Sequence, residues 1–110
     1  MSKYNKIVNT NSALQSIKGT SLKDRLFGFN YKQLVITFGE PTFSKVSNDG
    51  KIQKEWVFER ISDGEVFTIY DWKTYDEDYT MTMNQNWNVG SRVYAGEFVT
   101  DSIESIRKKN

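Results

Sequence analysis

From Asn30 to Pro41, Tyr31, Leu34, Val35 and Phe38 recur at i, i+3, i+4 and i+7, the spacing that lines one face of a helix. Asn30 is placed to cap its start and Gly39 to end it. Pro41 follows where a helix can no longer continue, and it holds Glu40 extended. The period then changes. Ile52 to Lys73 contains two runs of β-branched and aromatic residues on either side of Ser62-Asp63-Gly64, which reads as a β-hairpin turning at Asp63-Gly64. A two-residue loop there sets Phe58 opposite Ile69 and Trp56 opposite Asp71, with side chains alternating between two faces. One face carries Trp56, Phe58, Phe67 and Ile69, with Lys54, Asp71 and Lys73 further from the turn. The other carries Glu55, Val57, Glu59, Thr68, Tyr70 and Trp72. The first, apolar at its centre, is expected to pack under the helix, and a slip of one residue would exchange the runs that face one another.

The remaining signals are shorter. Residues 1–11 read as a polar lead-in prone to fraying. Ser12 to Lys18 carries Ala13, Leu14 and Ile17, spaced either for a short helix stopped by Gly19 or for an extended segment leading into Gly19-Thr20-Ser21-Leu22. Gly28 closes the next apolar cluster, Leu26-Phe27. Lys73 to Asn86 is polar and reads as a long loop, after which Trp87-Asn88-Val89-Gly90 fits a short third strand. Ser91 to Val99 shows no clear period. Thr100-Asp101-Ser102-Ile103-Glu104 resembles a helix start, with Asp101 and Glu104 at capping-box spacing and Ile103 and Ile106 as the inner face. Together these elements predict an α+β fold: a small antiparallel sheet built on the central hairpin, about 52–73, packed against one or two helices, about 31–38 and 101–109, in a single domain over 1–110.

A chain of 110 residues suits one core and is too short for two. Aromatic residues make up 15% of it, so Trp, Tyr and Phe must fill that core alongside the aliphatics. Fifteen basic against fourteen acidic residues leave a formal charge of +1, too balanced for broad binding to nucleic acid through phosphate attraction. The dense basic run, Arg107-Lys108-Lys109, sits where a helix C-terminus favours cations. No apolar run approaches the ~20 residues needed to cross a bilayer, and residues 1–11 lack the hydrophobic segment of a signal peptide. With no cysteine in the sequence, a reducing cytoplasm is the expected compartment.

The chain has neither histidine nor cysteine, which removes imidazole acid–base catalysis, thiol nucleophiles and thiolate zinc sites together. No phosphate-loop or dinucleotide glycine array is present. Asp76-Glu77-Asp78 offers carboxylates for a hard cation, but it reads as an exposed charged loop, and no metal or cofactor is expected. What remains is recognition chemistry. Tyr70, Trp72, Tyr75, Trp87 and Tyr94 offer ring faces on which a base could stack, and Lys54, Lys73 and Arg92 offer donors for phosphate. The alternative for Trp72 and Trp87 is a second hydrophobic cluster, and for Asp71 and Lys73 a solvated ion pair.

Taken in order, Gly19-Thr20-Ser21-Leu22, Phe38-Gly39-Glu40-Pro41, Glu55-Trp56, the Asp63-Gly64 turn, Ile69-Tyr70-Asp71-Trp72-Lys73 and Trp87-Asn88-Val89-Gly90-Ser91 resemble a family of small accessory proteins of tailed bacteriophages and prophages. The resemblance spans about Ile17 to Ser91. At the second tryptophan the family pattern is W-H-[IV]-G-G, whereas this chain has Asn88 and Ser91 in place of the His and the second Gly, so any role of that imidazole is lost here. The resemblance implies a phage protein acting in the cytoplasm of an infected bacterial host, with counter-defence as its expected role. The missing imidazole and thiol, with the aromatic-plus-basic mixture, add the expectation of a non-enzymatic protein that sequesters a nucleotide-derived immune messenger without cleaving it. Small size with surplus aromatic surface makes a homo-oligomer, a dimer first, the expected state. The expected ligand contacts are Thr20, Ser21, Tyr70, Asp71, Trp72, Lys73, Trp87, Gly90, Ser91 and Arg92. Two alternatives stand beside this. One is direct blockade of a host defence protein by the aromatic surface, and the other is hydrolysis of the messenger by carboxylates.

Overall fold

The structure, a computed structural model, describes every residue except 46, 48, 49 and 73–76, and only the backbone of 77, 78 and 81. Its elements run β1 (Tyr4–Lys6), α1 (Thr10–Ser16), β2 (Ser21–Phe29), α2 (Tyr31–Phe38), β3 (Glu55–Arg60), β4 (Val66–Tyr70), α3 (Glu77–Thr82), β5 (Gln85–Ser91) and α4 (Gly96–Lys109). The five strands form one antiparallel sheet in the order β1-β3-β4-β5-β2. This is the expected α+β class, with the hairpin at the centre of the sheet. Among the described residues no helix is long and apolar enough to cross a membrane.

Helix α2 forms where the apolar stripe and its caps place it. The Asn30 side chain accepts from the Gln33 N–H at 2.8 Å, and the Gln33 side chain accepts from the Asn30 N–H at 2.8 Å, a reciprocal capping box that satisfies two helix-end donors. Gly39, at φ +79°, ends it. The two core tryptophans hold both ends of this helix. Trp87 Nε1 donates to the carbonyl of Phe29, just before α2, and Trp56 Nε1 donates to that of Gly39, just after it, at 3.0 and 2.8 Å.

The hairpin turns differently from the two-residue reading. Phe58 pairs with Phe67 and Trp56 with Ile69, and the loop spans residues 61–64, closed by Arg60 N–H to Glu65 O at 2.8 Å. The reason lies in Asp63. Its carboxylate receives both Arg60 Nε and Nη2, at 2.9 and 2.7 Å, and the Glu65 N–H at 3.1 Å, which draws it into a wider turn. Because the register moves by two positions, every side chain keeps its predicted face. Trp56, Phe58, Phe67 and Ile69 do pack under α2 and α4, where Phe67 and Phe98 stack at 4.9 Å.

Three expectations are corrected. Residues 1–11 are not simply a lead-in: β1 pairs with β3 through Tyr4 opposite Arg60, and the Tyr4 ring is buried against Phe67 and Phe98. Helix α4 begins at Gly96, so Asp101 and Glu104 lie inside it and form no capping box, and its N-cap, Ala95, makes no side-chain cap bond. The helix is set by burial of Phe98, Val99, Ser102 and Ile106, a stripe that starts inside the segment where no period was apparent. The Lys73–Asn86 stretch, read as a loop, contains α3 and the start of β5. Arg107, Lys108 and Lys109 occupy the last turn of α4, as charge complementarity to the helix end requires.

The second face of the sheet is also covered, in part. Helix α1 lays Ala13 onto Val57 and Val66, with Ile7, Ile17 and Phe43 packed around them. Phe43 extends the sheet beside β3 through a two-way backbone pair with Glu55, at 2.9 and 3.0 Å. This second layer stops short of Tyr70 and Trp72, which stay half-buried and 44% exposed respectively.

Candidate functional site

Of the ten residues expected to bind ligand, the described ones do not form one surface. Trp87 has no exposed surface. Its ring meets Trp56 edge to face at 5.5 Å, which leaves no ring face for a base to stack on, so of the two readings of this residue the structure selects the core one. Ser91 is fully buried and its Oγ accepts from the Val93 N–H at 3.2 Å. Thr20 donates its hydroxyl to Ile17 O at 2.8 Å, below the end of α1. Ser21 is exposed on β2, opposite Ser91. Arg92 is exposed, yet its Nη1 donates to Ser16 O and Lys18 O at 3.0 and 2.6 Å, so the guanidinium closes the C-terminus of α1. Lys54, named as a phosphate donor, is buried and gives its ammonium to Ser44 O at 2.6 Å. Lys73 and Tyr75 lie outside the described residues.

Asp71 is a buried structural anchor; the ion pair considered for it involves Lys73, which lies outside the described residues. It is fully buried; its Oδ1 accepts from the N–H groups of both Gln53 and Lys54 at 2.8 Å, and its Oδ2 accepts from Thr80 Oγ1 at 2.9 Å. A carboxylate taken out of water persists only when donors surround it. Here those donors come from the approach to β3 and from α3, so one side chain ties α3 to the hairpin.

Tyr70, Trp72 and Gly90 do share a region. Tyr70 and Trp72 meet edge to face at 6.2 Å, and Lys51 Nζ stands 5.5 Å from the centre of the Trp72 ring. Gly90 lies between Thr68 and Leu22 in the sheet, and a methyl group there would stand 3.2 Å from Thr68 Oγ1 and 3.4 Å from Tyr70 Cε1. The bare backbone of Gly90 is thus what lets Tyr70 lie across β5. The Tyr70 phenol is raised from its ordinary value by burial, with Asn88 bonding to it and lowering it in part.

The residue that sequence reasoning missed is Glu55. It was assigned to the mixed face of the hairpin, and it is 8% exposed there. It forms part of the wall of a cleft of about 430 Å³ between α1 and the 43–52 segment, together with Leu14, Ile17, Phe43, Ile52, Lys45 and Ser47. Burial pushes its carboxyl up to about 7; the Thr68 hydroxyl, diagonal to it across the strand pair, draws it back, and the charge of Asp71 raises it further. Among the described residues no basic side chain pairs with it. A signal was present in the sequence: α1 carries Ala13 and Ile17 on one side, and Val57 was the apolar residue assigned to the mixed face of the hairpin, so the helix had to settle beside Glu55.

The cleft therefore has apolar walls, an acceptor group inside and a lysine among its lining residues. Among the described residues no group of three carboxylates converges as a metal site. Comparison with protein-family models, with curated proteins and with solved structures finds no match for this chain.

Proposed function

We propose that this chain is a binding protein that sequesters a small nucleotide-like ligand in the cleft beneath α1, and that it serves a bacteriophage as a counter-defence protein in the host cytoplasm. The observation that carries the reading is Glu55, a carboxyl buried in an apolar cleft that forms no ion pair among the described residues. A buried acceptor without a charged partner is costly to keep in a fold, and a ligand that brings donors would repay that cost. The volume, about 430 Å³, falls within the roughly 300–1,000 Å³ of small-molecule sites. The phage setting rests on the resemblance described above.

Isothermal titration with mononucleotides, cyclic dinucleotides and ADP-ribose derivatives tests the proposal. Saturable binding with the ligand recovered intact supports sequestration, and absence of binding across the panel overturns it. A carboxyl near 7 also has the proton affinity of a general base, so hydrolysis is the second reading, and a cleaved ligand after incubation would establish it. Blockade of a host protein through exposed Trp72 predicts instead that no small ligand competes.

A further inference from the structure

We infer that Glu55 selects a guanine-type edge, a ring N–H beside an exocyclic amino group, in a ligand whose other end is anionic. This rests on the cleft beneath α1 being the ligand site. A carboxylate has two oxygens that accept and none that donates, so its best partner is a pair of parallel N–H groups. Guanine presents such a pair. Adenine sets an acceptor next to its amino donor, and uracil flanks its one ring N–H with carbonyls that would face the carboxylate oxygens. Leu14, Ile17, Phe43 and Ile52 line the cleft with apolar surface suited to the two faces of a planar ring.

The distribution of charge fixes the other end of the ligand. Lys45 and Ser47 line the same cleft as Glu55, so the site has an acceptor pole and a cationic pole. A simple alkylammonium ion would satisfy the first and be repelled by the second, whereas a guanine nucleotide satisfies both. The charged and titratable groups around Glu55 are Asp71 and Tyr70 from the hairpin, Arg25 beyond Tyr70 on β2, and Lys45 from the 43–52 segment. Helix α1 itself, Thr10–Ser16, contributes no charged residue.

Capture requires the ionised carboxyl, so it weakens wherever that group is protonated. The group titrates near 7, and affinity should rise by about tenfold from pH 6 to pH 8 and then level off, as binding to the deprotonated form demands.

Calorimetric titration of the full chain with GMP, IMP, AMP and UMP decides the matter. GMP should bind at least tenfold more tightly than IMP, which lacks the exocyclic amine, and AMP and UMP should bind more weakly still. E55Q, whose amide sets a donor beside an acceptor, should lose GMP while its melting temperature at pH 8 is maintained or raised. Equal affinity for GMP and AMP, or GMP binding untouched by E55Q, overturns the assignment of Glu55 but leaves sequestration standing. Failure of all four nucleotides, of the cyclic dinucleotides and of the ADP-ribose derivatives overturns both.

Discussion

Trp56 and Trp87 meet edge to face at 5.5 Å, and from that contact each sends its indole N–H to the backbone at the opposite end of α2. The pair is a brace: strands β3 and β5 hold one helix at both termini. Replacing Trp87 with Phe keeps most of the buried area but leaves the Phe29 carbonyl without its donor, a loss of about 1–3 kcal/mol. Trp87→Ala opens a cavity as well and should cost about 3–5 kcal/mol. Urea denaturation followed by near-UV circular dichroism measures both, and a Trp87→Ala protein of unchanged stability would remove the indole from the core.

Asp71→Ala should be among the most damaging single changes away from the aromatic core. It removes the acceptor of two backbone N–H groups and of the Thr80 hydroxyl at once, and each buried backbone donor left unsatisfied costs about 1–3 kcal/mol. Thr80→Val alone should cost about 1 kcal/mol. In the Asp71→Ala background the same change should cost less, because the bond between the two side chains is already gone. A double-mutant cycle in urea reads this coupling.

Glu55 makes stability depend on pH. Its carboxyl titrates near 7 in the folded chain and near its ordinary 4.5 in the unfolded one, so the folded state binds the extra proton between those values. The stabilisation is full below about 4.5, falls as pH rises through 7 and is flat above, with a span of about 3 kcal/mol at most. The melting temperature should therefore fall between pH 5 and pH 8 in the parent chain. E55Q should lose this component and be the more stable protein at pH 8. Parallel slopes for the two proteins would contradict the burial of the charge.

Arg92→Ala should act locally. The guanidinium receives nothing from the core; it donates to the last carbonyls of α1 and the turn beyond. Its loss should cost about 1 kcal/mol or less overall, while amide exchange across residues 10–18 accelerates and that of β3 and β4 stays constant. A uniform rise in exchange would mean that α1 is not an independently opening unit.

Helix α2 and the hairpin were legible because each is specified by neighbours in sequence: Asn30 with Gln33, the i, i+3, i+4 stripe, and alternation in β3 and β4. The error in the hairpin loop came from Arg60, whose hold on Asp63 overrides the usual preference of Asp-Gly for a two-residue turn. Strand β1 was not legible because Tyr4 has no local partner; it is placed by β3 and by Phe98. The expected ligand contacts are dispersed in the fold. Trp87, Asp71 and Arg92 are residue types suited to ligands, and the fold uses each of them to tie distant segments together. Glu55 looked like an ordinary surface charge because Val57 beside it is the one hairpin sign of a second layer, and the residues that close over it, α1 and Phe43, are distant in sequence.

The strand order has a consequence for how the chain is made. β3 and β4 pair as they leave the ribosome one after the other, and β5 then adds to β4; β2 must wait until Trp87 is synthesised before Leu26 has its partner. At about 5–20 residues per second that wait lasts several seconds, during which the nine residues of β2, Leu26, Phe27 and Phe29 among them, travel without their partner strand. The hairpin should form first and act as the template, and nascent chains arrested before residue 85 should be the ones that chaperones capture.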